Sequence, residues 1–181
     1  QTLTYPIDSL DTQPAIPKEA VNIPPGRPSG PNARLQWAIY GNIRYPRTAL
    51  TSGTGGKVLV YGVVDTTGKF LVDSAALFTQ LAVPQSTPDE NFAGPAFDYE
   101  GVVDNLSDED SSLSVDKFPN NWSPAQKDLV REAIRVADNL PRFKPGTKAG
   151  APVNAFYSVP VVFKYQGVGK KRPKRKKRKQ G

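Results

Sequence analysis

The fold is decided by the stretch Lys57-Val58-Leu59-Val60-Tyr61-Gly62-Val63-Val64, which is almost wholly apolar and rich in β-branched residues. Such a run is typical of a strand that is covered on much of both faces, so we predict the central strand of a sheet here. Asp65-Thr66-Thr67-Gly68 follows with turn chemistry, because Gly68 can adopt positive φ. Residues 69–77 then resume as a second strand, and the two strands are predicted to form a hairpin.

Two helices and one short helical turn are predicted around this hairpin. Asn32 is suited to cap a helix over residues 33–43, and Pro46 at a first helical position would open a short turn. Ser123-Pro124-Ala125-Gln126 has the form of a capping box, and an apolar face at helical spacing follows it. This second helix ends before Pro141, whose ring cannot continue the hydrogen-bond ladder.

The last strand is predicted over residues 152–165, where apolar residues alternate along the chain. Pro160 cannot donate to a ladder, so the strand should have an edge or a bulge there. The predicted fold class is therefore α+β, a three-stranded antiparallel sheet with two main helices packed on one face. The last strand is expected beside the central strand, which leaves an outer edge free.

The chain divides into four parts. Residues 1–31 contain seven of the 18 prolines and are interpreted as an arm or linker, although an irregular strand or surface loop stays open for Leu3, Tyr5 and Ile7. Residues 32–169 form the predicted domain. Within it, residues 84–121 carry nine acidic residues and one lysine, a net charge of −8, which is typical of a functional or disordered loop.

The fourth part, residues 170–181, is a basic tail that is predicted to be disordered. The chain has 24 Lys and Arg against 17 Asp and Glu, a net charge of +7, and nine of the basic residues are in this tail. The remaining 15 basic and 17 acidic residues leave the body at −2. The nine are Lys170, Lys171, Arg172, Lys174, Arg175, Lys176, Lys177, Arg178 and Lys179.

Composition excludes several function classes. The chain has no Cys and no His, which removes cysteine nucleophiles, Cys/His zinc sites and Ser-His-Asp triads. We therefore expect no enzyme activity, no cofactor and no metal site, since the acidic cluster around Asp108 lacks the alternating ligands of a calcium loop. Gln1 fits the residue left after signal-peptide cleavage, although a trimmed end would look the same. A secreted protein is the expectation.

Several motifs resemble the C-terminal domain of TonB, the energy-transducing protein of Gram-negative envelopes. The opening match is Ile43-Arg44-Tyr45-Pro46-Arg47-Thr48-Ala49-Leu50, followed by residues 55–58 and 63–69. The closing match runs from Glu132-Ala133 through Leu140-Pro141-Arg142-Phe143-Lys144-Pro145-Gly146 and residues 150–153 to Val159-Pro160-Val161-Val162-Phe163. The resemblance covers about 100 residues and is greater to the variants found in Bacteroidota, in which a helix precedes the Tyr-Pro turn.

The resemblance implies a periplasmic binding module that serves energy transduction and transmembrane transport. It implies that the last strand takes up an extended peptide, the TonB box of an outer-membrane transporter, by β-strand addition. Tyr45 and Pro46 would lie near that peptide, although they could equally only fix a helix entry, and the helix-facing side chains of the strand could only fill the core. The implied edge comprises Ala155, Phe156, Tyr157, Ser158, Val159, Val161, Val162 and Phe163.

Three alternatives remain open. The basic tail could bind a polyanion such as anionic lipid, lipopolysaccharide or nucleic acid, or it could be a solvated tail that only affects solubility. The tail could instead dock on the acidic residues 84–121. The free strand edge could pair with itself, since members of the TonB family form homodimers by strand exchange.

Overall fold

The computed structural model of the chain describes residues 3–80, 97–104, 106 and 118–165. Its helices and strands, in chain order, are β1 (Thr4–Tyr5), α1 (Pro31–Tyr40), α2 (Arg47–Ser52), β2 (Gly56–Val64), β3 (Phe70–Gln80), β4 (Phe97–Val103), α3 (Pro124–Asp138), β5 (Thr147–Lys148), β6 (Ala151–Pro152) and β7 (Asn154–Phe163). Short 3-10 turns also occur at Ile7–Ser9 and Lys18–Ala20.

The main sheet has five strands in the order β1-β7-β2-β3-β4. β2 pairs with β3 and β7 and β3 pairs with β4, all antiparallel, whereas β1 runs parallel to β7. The α+β class is confirmed, and β7 lies beside β2 as expected. The prediction of three strands was wrong, because β1 and β4 come from segments that were interpreted as an arm and a loop.

β2 shows why the central stretch holds the fold. Val58, Val60 and Val64 are fully buried on one face, while Tyr61 on the other is 38% exposed. The hairpin turn that follows is fixed by Asp65, whose carboxylate accepts hydrogen bonds from the backbone of Thr67 and Lys69 and from the Thr67 hydroxyl. These bonds outweigh the effect of burial and lower the pKa of Asp65.

α3 packs across β3, β2 and β7 and encloses the core with the buried face of the sheet. Its predicted capping box is confirmed, because Ser123 Oγ accepts from the Gln126 amide while Gln126 Oε1 accepts from the Ser123 amide. α1 begins earlier than predicted, since Gly30 rather than Asn32 is its N-cap, and it ends at Tyr40.

Residues 3–21 contact the body at several points, so this part of the proline-rich segment is not a free linker, and the strand left open near Leu3, Tyr5 and Ile7 is present as β1. Ile16 is 1% exposed within the core. The backbones of Ala15 and Lys144 exchange two hydrogen bonds, and Thr12 bonds to Thr147 in the same way. Proline removes amide donors only at its own positions, so the donors between the prolines remain free to pair with a distant segment.

The acidic insert is not wholly a loop. Residues 97–103 form β4, and Phe118 near the end of the insert is 3% exposed. Residues 84–96, 105 and 107–117 of the insert lie outside the described residues.

Candidate functional site

The outer edge of β7 is the candidate site. β2 pairs with β7 on one side over its whole length, from Gly56 with Phe163 to Val64 with Ala155. On the other side β1 pairs only with Asn154 and Ala155. Among the described residues, no strand pairs with the outer side of residues 156–163. We call this backbone stretch the open edge; such an edge is a template on which a further strand can pair.

Pro160 determines which backbone groups face outward. It lies opposite Leu59 of β2, and because it has no amide hydrogen the two cannot form one of the pairs that exchange hydrogen bonds. The two kinds of pair alternate in an antiparallel ladder, so Phe156, Ser158 and Val162 share the orientation of Pro160. The open edge therefore presents the carbonyls of these residues and the amides of Ser158 and Val162. Position 160 has no donor, and the Phe156 amide is used by the parallel pair of Tyr5 with Ala155, since Pro6 has no amide with which to form that pair.

The side chains of β7 divide into two sets. Ala155, Val159, Val161 and Phe163 are at most 1% exposed, so only their backbone can contribute to binding. Phe156 is 55% exposed, Ser158 is exposed and Val162 is half-buried.

Tyr157 lies between these two sets. It is half-buried against Phe143 and Phe70, with ring centroids 5.2 Å and 6.4 Å away, and burial raises the pKa of its phenol. The phenol is therefore neutral near pH 7. Tyr157 packs within the protein, so any contact with a bound peptide would be made in addition to these contacts.

The end of the open edge near Phe163 opens into a groove of about 520 Å³. Gln36 and Tyr40 of α1 line it together with Val162, Phe163 and Lys164, and the Tyr40 side chain is 48% exposed. α1 therefore forms a second wall beside the strand. A cleft between a helix and an edge strand is a common setting for peptide binding by strand addition.

Tyr45 and Pro46 lie at this end as well. The Tyr45 ring meets the Phe163 ring edge-on at 5.7 Å, and its hydroxyl donates to the Thr54 carbonyl at 2.7 Å. Burial, with a smaller effect of Tyr165, raises the pKa of Tyr45, so the phenol remains a donor near pH 7. Pro46 is the N-cap of α2. Tyr45 thus lines the groove, and its contacts with Phe163 and Thr54 hold this part of the groove in place.

The Tyr45 segment is tied to α3 by a charged cluster. Glu132 accepts from the Arg44 amide at 2.6 Å and from the Arg135 guanidinium at 2.7 Å and 2.8 Å. Burial by itself would raise the pKa of Glu132, but the bonds from Arg135 and Arg44 outweigh it and lower that pKa. Ionised Glu132 therefore holds the chain that leads into the groove wall.

The opposite end of the open edge adjoins a larger trough of about 1030 Å³. The N-terminal segment, the first turn of α1 and strands β2, β3 and β7 all contribute to it. The sequence patterns did not point to this trough, because its residues come from five separate segments. Its lining includes Thr4, Asp8, Tyr61, Leu71, Asp73 and Phe156.

The predicted polyanion-binding residues, Lys170 to Lys179, lie outside the described residues, as does the acidic cluster around Asp108. Among the residues that the structure describes, no group of three or more His, Cys, Asp or Glu is placed to hold a metal ion. No helix in the same part of the chain is long and apolar enough to cross a membrane. No protein-family model, curated protein or solved structure matches this chain.

Proposed function

We propose that the chain is a TonB C-terminal-like binding module of a bacterial envelope. In this proposal it works in the periplasm and docks an extended peptide, a TonB-box-like segment of an outer-membrane transporter, by β-strand addition. The observation that carries the proposal is the open edge, whose outward amides at Ser158 and Val162, with the carbonyls beside them, have no strand partner among the described residues. β1 supports it, because this segment of the chain already adds to the same edge in parallel orientation.

Backbone pairing alone gives modest affinity. Two outward amides, those of Ser158 and Val162, and the carbonyls beside them allow a few hydrogen bonds, each of which contributes about 0.5–1.5 kcal/mol net. The gap at Pro160 lowers this total. Side-chain contacts with Tyr40 and Tyr45 in the groove and with the trough would then decide which peptides bind.

The test compares two variants at one position. Ser158→Pro removes an outward amide and places a ring on the open edge, whereas Ser158→Ala keeps the amide and removes only the hydroxyl. With a fluorescein-labelled synthetic TonB-box peptide, we expect the proline variant to bind about tenfold more weakly and the alanine variant to bind as the wild type does. Equal binding by all three proteins would refute strand addition at β7.

A second form of the test leaves the protein unchanged. Peptides of the same sequence are N-methylated at alternate residues, so that one set loses the amides on one edge and the other set loses those on the opposite edge. Strand addition uses a single edge of the peptide, and only one set should lose affinity. Equal losses in both sets would contradict the proposal even if Ser158→Pro failed to fold.

The basic tail supports a second candidate, a polyanion-binding envelope protein. Nine basic residues in the last twelve positions can neutralise several phosphates of lipopolysaccharide or anionic lipid, and such binding weakens steeply with salt. Removing residues 170–181 would abolish vesicle binding under this candidate and would leave peptide binding at the open edge intact.

A further inference from the structure

The trough at the Phe156 end of the open edge has a partly apolar floor that is open to solvent. Phe156 is 55% exposed, Leu71 43% and Tyr61 38%, and all three line the same trough. Its volume of about 1030 Å³ is at the upper end of the range usual for ligand sites. Exposed apolar side chains gathered in one concave surface mark a site that another molecule covers.

The charged side chains that line the trough are all acidic. Asp8 and Asp73 contribute to its wall, and no lysine or arginine is among the described residues that line it. Both salt bridges within the described residues use carboxylates of α3 instead. The wall therefore favours a cationic group on whatever occupies the trough.

The opposite end of the open edge has the other sign. Lys164 lines the groove there, and the basic tail follows within a few residues. The eight residues between the two ends correspond to about 26 Å of strand. An extended peptide on the open edge therefore meets an acidic, apolar surface at one end and the basic side chain of Lys164 at the other.

From these observations we infer that the trough is a subsite for two side chains of the bound peptide, a bulky apolar one and a lysine or arginine two residues away from it. Side chains of an extended peptide alternate between the two faces of a sheet, so residues two apart share the face of the trough. The inference rests on the proposed strand addition, and it specifies the partner as an extended segment with such a pair at the end that lies near Phe156. The apolar side chain packs on Phe156, which is on the strand beside the peptide, and on Tyr61 of the next strand. Asp8 and Asp73 attract the cation, and aromatic faces nearby add to its attraction.

The experiment uses the full chain and labelled nonapeptides with one common core, Thr-Val-Thr-Ser-Thr-Val. The segment Phe-Thr-Lys, Phe-Thr-Gln or Phe-Thr-Glu is attached at either the amino or the carboxyl end, and we call the three the Phe-Lys, Phe-Gln and Phe-Glu peptides. A peptide that runs parallel to β7, as β1 does, places its amino-terminal pair at the trough, and an antiparallel one its carboxyl-terminal pair. Fluorescence polarisation gives the affinity of each peptide at low salt and at 0.5 M salt.

For one of the two placements we expect the Phe-Lys peptide to bind about three- to tenfold more tightly than the Phe-Glu peptide, with Phe-Gln between them. Asp73→Asn and Asp8→Asn should each reduce this preference, and high salt should reduce it as well. Asp138→Asn is the matched control, because Asp138 is an exposed carboxylate on α3 that does not line the trough. Phe156→Ala should weaken every peptide that carries Phe at that end, whereas Leu50→Ala, at an exposed leucine of α2, should not.

The experiment distinguishes a failure of the subsite from a failure of the proposed function. If the peptides bind and Ser158→Pro weakens them, but the three pairs bind equally in both placements, strand addition stands and the subsite is refuted. If none of the peptides binds at millimolar concentration, the proposed function fails together with the subsite.

Discussion

The β4 and β7 sides of the main sheet differ in how open they are to pairing with a further strand. β4 has a register shift against β3 between Leu77 and Phe78, which leaves Glu100 as an extra residue in the ladder. The Glu100 carbonyl accepts a hydrogen bond from the Trp122 indole at 3.1 Å, and the Trp122 ring lies over Gly101. At β7 the described part of the chain offers a two-residue strand and the 3-10 turn Ile7–Ser9 at one end, and Pro160 in the middle.

This difference identifies which edge is available for binding. A bulge and a buried side chain both blunt an edge against further pairing, and β4 has both. β7 has a regular ladder with β2 and a row of outward groups, interrupted once by Pro160. A partner strand therefore meets a prepared template at β7 and a distorted, covered one at β4.

The largest expected effect comes from uncovering β4. Trp122 is 3% exposed, stacks near Phe118 with centroids 6.1 Å apart and satisfies the Glu100 carbonyl. Trp122→Ala should lower the free energy of unfolding by about 3–5 kcal/mol, measured by urea denaturation followed by circular dichroism. The other tryptophan, Trp37, is only half-buried, so Trp37→Ala is the control and should cost clearly less. Equal costs would show that Trp122 has no special role at β4.

The next largest effect concerns Glu132, which holds the segment that leads to Tyr45 and the groove, and this effect depends on pH. The pKa of Glu132 is lower in the folded than in the unfolded chain, so its stabilising effect is complete above the ordinary carboxyl pKa of 4.5 and is lost as the pH falls through the folded value. Glu132→Gln should cost about 1–2 kcal/mol at pH 7 and much less at pH 3. Denaturation curves at the two pH values measure the difference. A cost that does not change with pH would contradict this role of Glu132.

Restoring the missing donor should strengthen the open edge. Pro160→Val adds an outward amide without touching the ladder with β2, and we expect synthetic TonB-box peptides to bind about two- to tenfold more tightly. The added amide also makes pairing between copies easier, so light scattering over a range of protein concentrations accompanies the binding measurement. Weaker peptide binding by a monomeric Pro160→Val protein would show that the outward orientation assigned to position 160 is wrong.

The smallest expected effect comes from β1. Deleting residues 1–5 removes the strand that pairs with Asn154 and Ala155 and lengthens the open edge by two residues. We expect about a two- to fivefold gain in affinity for a ten-residue peptide and no gain for a six-residue peptide. An equal change for both lengths would indicate that β1 acts through something other than the length of the edge.

Local signals in the sequence specified the middle of the fold. The β-branched run of β2, the Asp65–Gly68 turn and the Ser123–Gln126 capping box each act through residues close together in sequence, and the structure has all three. β1 and β4 were missed for different physical reasons. Thr4 of β1 pairs with Asn154, so this contact depends on a residue more than a hundred positions away. β4 pairs with the nearby strand β3, but Asp98, Glu100 and Gly101 give it the polar composition of a loop.

One part of the candidate site could likewise be predicted from the sequence, and the other part could not. The open edge follows from Pro160 and the alternation of β7, which are visible in the sequence. The groove and the trough are not visible there, because Tyr40, Leu71 and Asp73 are brought to the ends of β7 only by tertiary packing. In the structure Tyr61 is 38% exposed, whereas Val58, Val60 and Val64 are buried, so one face of β2 is open.

The most direct test of strand addition at β7 is an amide NMR titration of the full chain with a synthetic TonB-box peptide. The account predicts the largest shifts at the amides of Ser158 and Val162, smaller shifts at Val159 and Val161, whose amides face β2, and none at Gly101 of β4. Shifts centred on β4, or no shift at millimolar peptide, would contradict it.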